Sequence, residues 1–219
     1  MTWRGGAGLR ARGYHGGMTT PQKQFPDWET LYREQPGERL PWYYAELDPD
    51  LAAALREHGL AGGRLLDLGT GPGTQAIALA ARGFDATGSD LSATAVARAT
   101  ELALARGVRV TFVQDDVLAS RLTGSFAAVF DRGCFHVIDP ASRPVYVASV
   151  AAWLAPGSLL FLKTFSALQP GTAGPHRFTA DQLRDIFAAS FELLTADETI
   201  YQGTLDPPPR ALFSVLRRR

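Results

Sequence analysis

The sequence predicts an α/β fold built on a seven-stranded sheet, mostly parallel with an antiparallel last strand, with helices on both faces. Three observations lead to this prediction. Short apolar segments alternate with segments of helical periodicity through most of the chain. A glycine-rich segment joins the first predicted strand to the helix that follows it. The last two predicted strands are separated only by a proline-containing loop at 202–209, so they should pair in antiparallel orientation.

The predicted elements follow one another in a regular order. A short helix spans Leu51–His58, and the glycine-rich segment Gly59–Gly63 ends it. Ser92 and Thr179 precede helices and are good N-caps, and Gln182 stands at the capping-box position after Thr179. Strands are predicted at Arg64–Leu68, Phe84–Ser89, Arg109–Gln114, Ser125–Asp131, Leu159–Thr164, Phe191–Ile200 and Arg210–Leu216, and further helices at Thr74–Ala81, Ser92–Arg106, Ala141–Leu154 and Thr179–Ala189.

Composition divides the chain into three parts. Residues 1–23 are rich in glycine and arginine and have no apolar core of a signal peptide, so we expect disorder there, with Met18 as a second possible start. Residues 24–58 carry many aromatic side chains and prolines, and we expect them to form an aromatic arm and helix that cover a substrate site. Residues 59–219 hold the strand–helix alternation and form the predicted catalytic core.

The overall composition argues against several classes of partner. Lysine plus arginine and aspartate plus glutamate both number 22, so the net charge of zero is unlike that of a nucleic-acid-binding domain. No apolar run reaches the roughly 18 residues of a membrane span. Cys134 is the single cysteine, which is typical of a cytoplasmic protein without disulfides. The four histidines lack metal-ligand spacing, and Arg217–Arg219 are expected to form a solvated tail.

The glycine-rich segment has the spacing Gly69-x-Gly71-x-Gly73. A dinucleotide site needs Gly-x-Gly-x-x-Gly, whereas here Pro72 removes one backbone N–H and Thr74 replaces the third glycine. A phosphate-binding loop would need Gly-Lys-Ser/Thr, which is absent. The next strand is followed by Asp90, whose carboxylate could accept both hydroxyl groups of a ribose. The pattern therefore indicates an adenosine-type cofactor other than a dinucleotide.

This strand, loop and acid resemble the S-adenosylmethionine site of the class I methyltransferases, whose fold is Rossmann-like. The resemblance implies S-adenosyl-L-methionine as cofactor, with adenine recognition by the acid and the next backbone N–H after the third strand. The implied cofactor residues are Asp67, Gly69, Thr70, Gly71, Gly73, Asp90, Leu91, Asp116, Val117 and Asp131.

Polar and reactive side chains also cluster after the fourth strand, in Asp131-Arg-Gly-Cys-Phe-His136. This segment, together with Pro41-Trp42, resembles the small-molecule methyltransferases of the thiopurine and tellurite-resistance type. The sequence departs from that group directly after Trp42, at Tyr43-Tyr44-Ala45-Glu46. The resemblance implies His136 and Asp131 as catalytic residues, and Trp42, Tyr43, Arg132 and Phe135 as contacts of the substrate.

Several functional alternatives remain open from the sequence. His136 is either a base that takes the acceptor's proton or a histidine that binds the backbone at the start of a helix. Cys134 is expected to pack in the core, because methyl transfer from a sulfonium needs no enzyme nucleophile. The acceptor is a small molecule, possibly a thiol. An O- or N-methyltransferase of a secondary metabolite and a non-catalytic cofactor-binding protein are the alternatives. No nucleic acid, membrane or metal is expected, and the oligomeric state is not predicted.

Overall fold

A computed structural model describes residues 25–219, so the predicted disorder of 1–23 lies outside the described residues. The strands are β1 (Arg64–Leu68), β2 (Asp85–Asp90), β3 (Thr111–Gln114), β4 (Phe126–Arg132), β5 (Leu154–Ser166), β6 (Arg177–Phe178), β7 (Phe191–Ile200) and β8 (Arg210–Arg218). The α-helices are α1 (Trp28–Glu34), α2 (Pro49–Glu57), α3 (Thr74–Ala80), α4 (Ala93–Ala105), α5 (Arg143–Trp153) and α6 (Ala180–Phe187), and short 3₁₀ helices lie at Gly37–Arg39, Phe135–Val137 and Pro140–Ser142.

The strands form one sheet in the order β3-β2-β1-β4-β5-β8-β7, and the two-residue β6 pairs with β5. β1 to β5 are parallel along this path, and β8 is antiparallel to both β5 and β7. The predicted antiparallel last strand is therefore confirmed, but it lies between β5 and β7. The strand order reverses between β1 and β4, and such a switch point opens a ligand crevice at the carboxyl edge of a sheet.

Apolar side chains cover both faces of the sheet, as predicted. On one face, the buried residues of α5 and α6 pack against β4, β5 and β8, and they include Tyr146, Val150 and Phe187. On the other face, α2 and α3 contribute Leu51 and Leu79 to a second cluster. Burying these side chains is the dominant favourable term in folding, and it leaves the carboxyl edge of the sheet to loops and to the aromatic arm.

The fold differs from the sequence prediction at its first helix and at its C-terminal end. α1 was not predicted, although Asp27 caps it by accepting from Thr30 N at 2.7 Å. The expected solvated tail is corrected in part: Arg217 and Arg219 are exposed, but β8 continues to Arg218. The Arg218 guanidinium donates to the carbonyl oxygens of Ala151 at 3.1 Å and Ser190 at 3.0 Å. Within residues 25–219, no helix is long and apolar enough to cross a membrane.

Candidate active site

The glycine loop, residues 69–73, leaves β1 at the switch point and enters α3. Gly69, Gly71 and Gly73 all have positive φ angles, of 70°, 50° and 79°. At Gly71 the need for glycine is also steric, because a Cβ there would lie 2.5 Å from the hydroxyl oxygen of Tyr32. The loop therefore follows a path that L-residues with side chains rarely adopt, and it presents bare backbone to the crevice.

The carboxylate of Asp67 holds this loop through hydrogen bonds. Its Oδ2 accepts from the Thr70 hydroxyl at 2.5 Å and from Ala76 N at 3.1 Å, and Thr70 N donates to Ser89 O at 2.8 Å. The residue is 2% exposed, and burial raises the pKa of its carboxyl to about 6. Asp67 and Thr70 were predicted as cofactor contacts, and the structure shows that they fix the shape of the glycine loop.

Asp90 connects the glycine loop to the start of α4. Its Oδ2 accepts from Gly71 N at 2.8 Å, and its Oδ1 accepts from Ser92 N at 2.9 Å. Burial raises the pKa of the Asp90 carboxyl, while both of these backbone hydrogen bonds lower it. Leu91 follows as an exposed side chain. The structure thus brings Asp90 and Gly71 together, two residues that the sequence assigned to one cofactor.

The residues after β3 lie at the same edge of the sheet. Asp116 Oδ1 accepts from Leu118 N at 2.9 Å, which forms a tight turn. Val117 is buried in the core, and its carbonyl oxygen accepts from the Ser149 hydroxyl of α5 at 2.7 Å. Their predicted contact with adenine stays a prediction that their place after β3 supports.

Asp131 has a different role from the one predicted. Its carboxylate is fully buried and accepts from the backbone N–H groups of Gly133, Cys134 and Phe135 at 2.8–2.9 Å, and from the Tyr146 hydroxyl at 2.5 Å. Burial raises the pKa of the Asp131 carboxyl to about 6. Because both oxygens face this loop and α5, Asp131 shapes the turn after β4 and is not placed to contact cofactor or substrate.

Phe135 was predicted to contact the substrate, and this assignment is wrong. The side chain is fully buried, and its ring centroid lies 4.9 Å from Tyr146, 5.2 Å from Phe178 and 5.1 Å from Phe187. Aromatic pairs at these separations are typical of a protein core. Phe135 therefore anchors the turn after β4 to α5 and α6.

His136 binds the backbone of β5 through its ring. Nδ1 accepts from Phe165 N at 3.2 Å, and the imidazole packs against the rings of Phe165 and Tyr201 at 5.2 and 5.7 Å. A ring nitrogen that accepts a hydrogen bond carries no proton, so the neutral ring holds its proton on Nε2. In this tautomer Nε2 has no lone pair for an acceptor's proton. The geometry therefore disfavours His136 as the catalytic base.

The aromatic arm lies directly on the glycine loop. The Tyr32 hydroxyl and Trp42 Nε1 lie 2.5 and 3.7 Å from the Cβ position of Gly71, and the Trp42 ring packs edge-on against Trp28 and Tyr32. Trp42 thus lies next to the glycine loop, and its predicted contact with the substrate stays a prediction. Tyr43 follows it as a half-buried residue, and its contact with substrate stays a prediction. Tyr32 was missed as a site residue because its helix was missed.

Polar contacts fasten α1 to α4. The Glu29 carboxylate accepts from the hydroxyls of Ser92 at 2.7 Å and Thr94 at 2.5 Å, and from Thr94 N at 3.1 Å. These hydrogen bonds, that of the Thr94 side chain first, lower the pKa of Glu29 to about 2. In the opposite direction, the Arg98 guanidinium of α4 donates to the carbonyl oxygen of Tyr32 and to that of Gln35, the latter at 2.7 Å. Each helix thus satisfies backbone groups at an end of the other.

Arg132 was predicted to contact the substrate, but its guanidinium is engaged by the protein. Nε donates to Asp48 Oδ2 at 2.9 Å, Nη1 donates to Trp42 O at 2.9 Å, and Nη2 donates to Gln202 O. Asp48 in turn binds Lys163 of β5. These contacts join the arm to the core. Asp48 and Lys163 were not predicted as part of the site, although a lysine inside the predicted apolar strand Leu159–Thr164 is a signal that could have found it.

The buried carboxyls of Asp67 and Asp131 predict a pH-dependent stability. Their folded pKa of about 6 exceeds the ordinary 3.8, so between pH 4 and 6 the folded state keeps protons that the unfolded state releases. The stabilisation is full below pH 4 and is lost as the pH rises through 6, by up to about 3 kcal/mol per group. Urea unfolding from pH 4.5 to 7 should therefore show a weaker pH dependence for Asp131→Asn than for wild type. Equal slopes would contradict the raised pKa.

Comparisons with known proteins agree with this geometry. A family model described as a methyltransferase domain matches residues 65–157. The chain is 33% identical over 169 residues to 2-heptyl-1-hydroxyquinolin-4(1H)-one methyltransferase of Mycobacteroides abscessus. The aligned region covers 73% of each chain. It is 31% identical over 138 residues to thiocyanate methyltransferase 1 of Arabidopsis thaliana, covering 62% of this chain and 60% of that protein.

A solved structure extends the comparison to the fold. It comes from work on the conversion of a disulfide bond into a thioacetal group during echinomycin biosynthesis, and it covers 87% of this chain and 90% of its own. The TM-score is 0.76, with 27% sequence identity. The shared fold thus includes most of the described residues outside the family match.

The fold and the site together define an α/β enzyme with a cofactor crevice at the switch point of the sheet. The identity to the hydroxyquinolinone methyltransferase, over 73% of each chain, shows the family. The chain belongs to the class I S-adenosylmethionine-dependent methyltransferases that act on small molecules.

Proposed function

We propose that this protein transfers the methyl group of S-adenosylmethionine to the sulfur of a small molecule that ionises without help from an enzyme base. The observation that carries the proposal is that the acidic and basic side chains after β4, Asp131 and His136, are engaged in hydrogen bonds to the protein. Both Asp131 oxygens accept protein hydrogen bonds, and His136 Nδ1 accepts from Phe165 N. A thiol has an ordinary pKa about 1.5 units below that of a phenol, so it forms its anion more readily at neutral pH.

The glycine loop fits the proposed cofactor. Its backbone at Gly71 is bare and lies against the arm, because a Cβ there would lie 2.5 Å from the Tyr32 hydroxyl oxygen, and Asp90 stands beside it with a buried carboxylate. In the proposed assignment the loop holds the amino-acid tail, Asp90 accepts from the ribose hydroxyls, and Asp116 with Val117 N binds adenine. When bound, S-adenosylmethionine supplies a methyl group already activated by the sulfonium.

The remaining task of the protein is placement and exclusion of water. Residues 24–58 serve as the lid and residues 59–219 as the core in this proposal. Tyr32 and Trp42 lie over the glycine loop, where aromatic faces attract a sulfonium and exclude water. Holding two reactants in line supplies much of the rate of a bimolecular transfer. Cys134 takes no covalent part, because burial raises the pKa of its thiol and keeps it protonated.

The relatives support a soft or readily ionised acceptor. One of them is named for thiocyanate and another for a 1-hydroxyquinolinone, and the solved structure belongs to work on a thioacetal. The single cysteine and the balanced charge support a cytoplasmic enzyme with a small-molecule partner and no nucleic acid. Methylation of an acidic N-hydroxyl is the second candidate, and the hydroxyquinolinone relative favours it.

A product assay tests the proposal. The protein is incubated with S-adenosylmethionine and separate panels of thiols, N-hydroxy heteroaromatics, phenols and amines, and S-adenosylhomocysteine and methylated products are measured by mass spectrometry. We expect thioethers as the main products. Methylated phenols or amines with unreacted thiols would overturn the acceptor assignment. Binding of the cofactor without turnover on any panel would favour the non-catalytic alternative.

Substituting His136 tests the absence of an enzyme base. His136→Ala should lower turnover by less than about tenfold, and by the same factor for acceptors of different pKa, because the ring supports β5 and the turn after β4. Loss of a general base would instead lower turnover by about 100- to 10,000-fold, most for acceptors of high pKa. Steady-state rates for a thiol series of graded pKa make the comparison. A loss that grows with acceptor pKa would restore His136 as the base.

A further inference from the structure

A buried ionic cluster joins the aromatic arm to the ends of three strands. It consists of Asp48, Asp50, Arg132, Lys163 and Gln202, and we call it the arm-locking cluster. Asp48 lies in the arm as the N-cap of α2, Arg132 and Lys163 are register partners on β4 and β5, and Gln202 follows β7. The cluster therefore connects segments that are far apart in the chain.

Arg132 lies at the centre of the arm-locking cluster. Its Nε is 2.9 Å from Asp48 Oδ2, and the two side chains are 7% and 0% exposed. Its other two nitrogens donate to Trp42 O and Gln202 O, and its Cζ lies 5.0 Å from the centre of the Tyr201 ring. The planar guanidinium reaches these acceptors through three nitrogens that point in fixed, different directions, whereas a lysine ammonium offers all its donors from a single nitrogen.

The charges of the cluster balance only while the arm is docked. Lys163 Nζ lies 2.8 Å from Asp48 Oδ2, 2.7 Å from Asp50 Oδ2 and 2.7 Å from Gln202 Oε1. Two carboxylates thus face two cations in a region where Lys163 is fully buried. Withdrawing Asp48 with the arm would leave buried positive charge without its partners, which is strongly unfavourable.

The cluster fixes the backbone of the arm where it meets the glycine loop. Arg132 holds Trp42 O at 2.9 Å, and Thr204 N donates to Pro41 O at 3.1 Å from the other side. With its backbone held by both contacts, Trp42 places its indole nitrogen 3.7 Å from the Cβ position of Gly71. The position of this indole over the loop therefore depends on Arg132.

We propose that Arg132 is a positioning residue for the cofactor rather than a contact of the acceptor. By holding Trp42 O, it keeps the arm closed over the glycine loop. The proposal rests on the proposed function only in taking S-adenosylmethionine as the ligand of that loop. The proposal predicts that loss of Arg132 weakens cofactor binding even when no acceptor is present.

The test compares Arg132→Lys, which keeps the charge, with Asp48→Asn, the double variant, and Arg64→Lys. The last is the control, because Arg64 begins β1 at the opposite edge of the sheet and its side chain is 46% exposed. Calorimetry with S-adenosylhomocysteine measures affinity without acceptor, and hydrogen exchange of residues 36–46 reports on the arm. Acceptor KM is measured at saturating cofactor, and thermal unfolding checks the fold of each variant.

We expect Arg132→Lys and Asp48→Asn each to weaken S-adenosylhomocysteine binding by about tenfold, the loss of one charge-assisted hydrogen bond. Exchange in 36–46 should quicken, acceptor KM should change less than twofold, and the double variant should be no worse than the poorer single one. Unchanged affinity with a raised KM for charged acceptors would overturn the proposal and assign Arg132 to the acceptor. If wild type bound no S-adenosylhomocysteine, the proposed function would fail. Unchanged hydrogen exchange of residues 36–46 in the variants would separately refute the proposal that Arg132 keeps the arm closed.

Discussion

Replacing Asp90 by alanine should weaken binding of S-adenosylmethionine and S-adenosylhomocysteine by about 100- to 10,000-fold. The proposed ribose contacts are two hydrogen bonds to a charged acceptor, each worth about 1.5–3 kcal/mol. The same carboxylate also holds Gly71 N at 2.8 Å, so its loss loosens the glycine loop as well. Calorimetric titration of the folded variant measures the change, and thermal unfolding checks that the variant has folded.

Asp115→Ala is a matched control for this substitution. Asp115 follows the neighbouring strand β3, and its carboxylate also accepts two protein hydrogen bonds, from the Ser120 hydroxyl at 2.6 Å and Arg121 N at 2.8 Å. We expect Asp115→Ala to alter stability while cofactor affinity stays within about threefold, because the proposed cofactor contacts include Asp90 but not Asp115. If Asp90→Ala folded and bound as tightly as wild type, Asp90 would not be the ribose ligand.

Gly71→Ala should also lower cofactor affinity, by about 10- to 100-fold. The new Cβ would lie 2.5 Å from the Tyr32 hydroxyl oxygen, so the arm or the loop must shift, and overpacking of this kind costs about 1–3 kcal/mol. The φ angle of 50° adds backbone strain. Titration of the variant with S-adenosylhomocysteine gives the affinity.

Two further variants separate the steric effect from the backbone strain. Gly107→Ala has a similar φ of 66° but meets no atom within 4 Å, so it should only reduce stability, by about 1–2 kcal/mol. The double variant Gly71→Ala/Tyr32→Phe removes the hydroxyl that the new Cβ would meet. The nearest atom of residue 32 would then be the ring carbon Cζ, 3.4 Å from the Cβ, so cofactor affinity should partly recover. If the double variant bound no better than Gly71→Ala, the contact between arm and loop would not explain the loss.

Local patterns in the sequence were sufficient for the sheet and the glycine loop. β1 runs from Arg64 to Leu68 as predicted, and Asp90 meets Gly71 because strands that are adjacent and parallel end at the same edge. The position of β8 between β5 and β7 could not be predicted, since the short connection indicated only that β7 and β8 pair. α1 was missed because its aromatic residues and the nearby prolines obscured the capping signal of Asp27.

The errors in the site have a common physical cause. A position at a strand end does not tell whether a side chain points into the crevice or the core, and Asp131 and Phe135 both point away from the crevice. Arg132 finds its partners at Asp48 and Trp42, 84 and 90 residues away, and no local pattern encodes such contacts. A strand-end cluster of polar residues therefore indicates an edge of the sheet but not the role of each residue in it.

The most direct test of the central claim is the pH dependence of kcat/KM for methyl transfer to a series of thiols with graded pKa, measured as S-adenosylhomocysteine formed. If the acceptor ionises by itself, the rising limb of each profile should move with the pKa of the thiol used. His136→Ala should leave those limbs in place. A rising limb fixed at one pH for every thiol would report an ionising group of the enzyme and contradict this mechanism. Failure to form S-adenosylhomocysteine with any thiol would contradict the proposed acceptor itself.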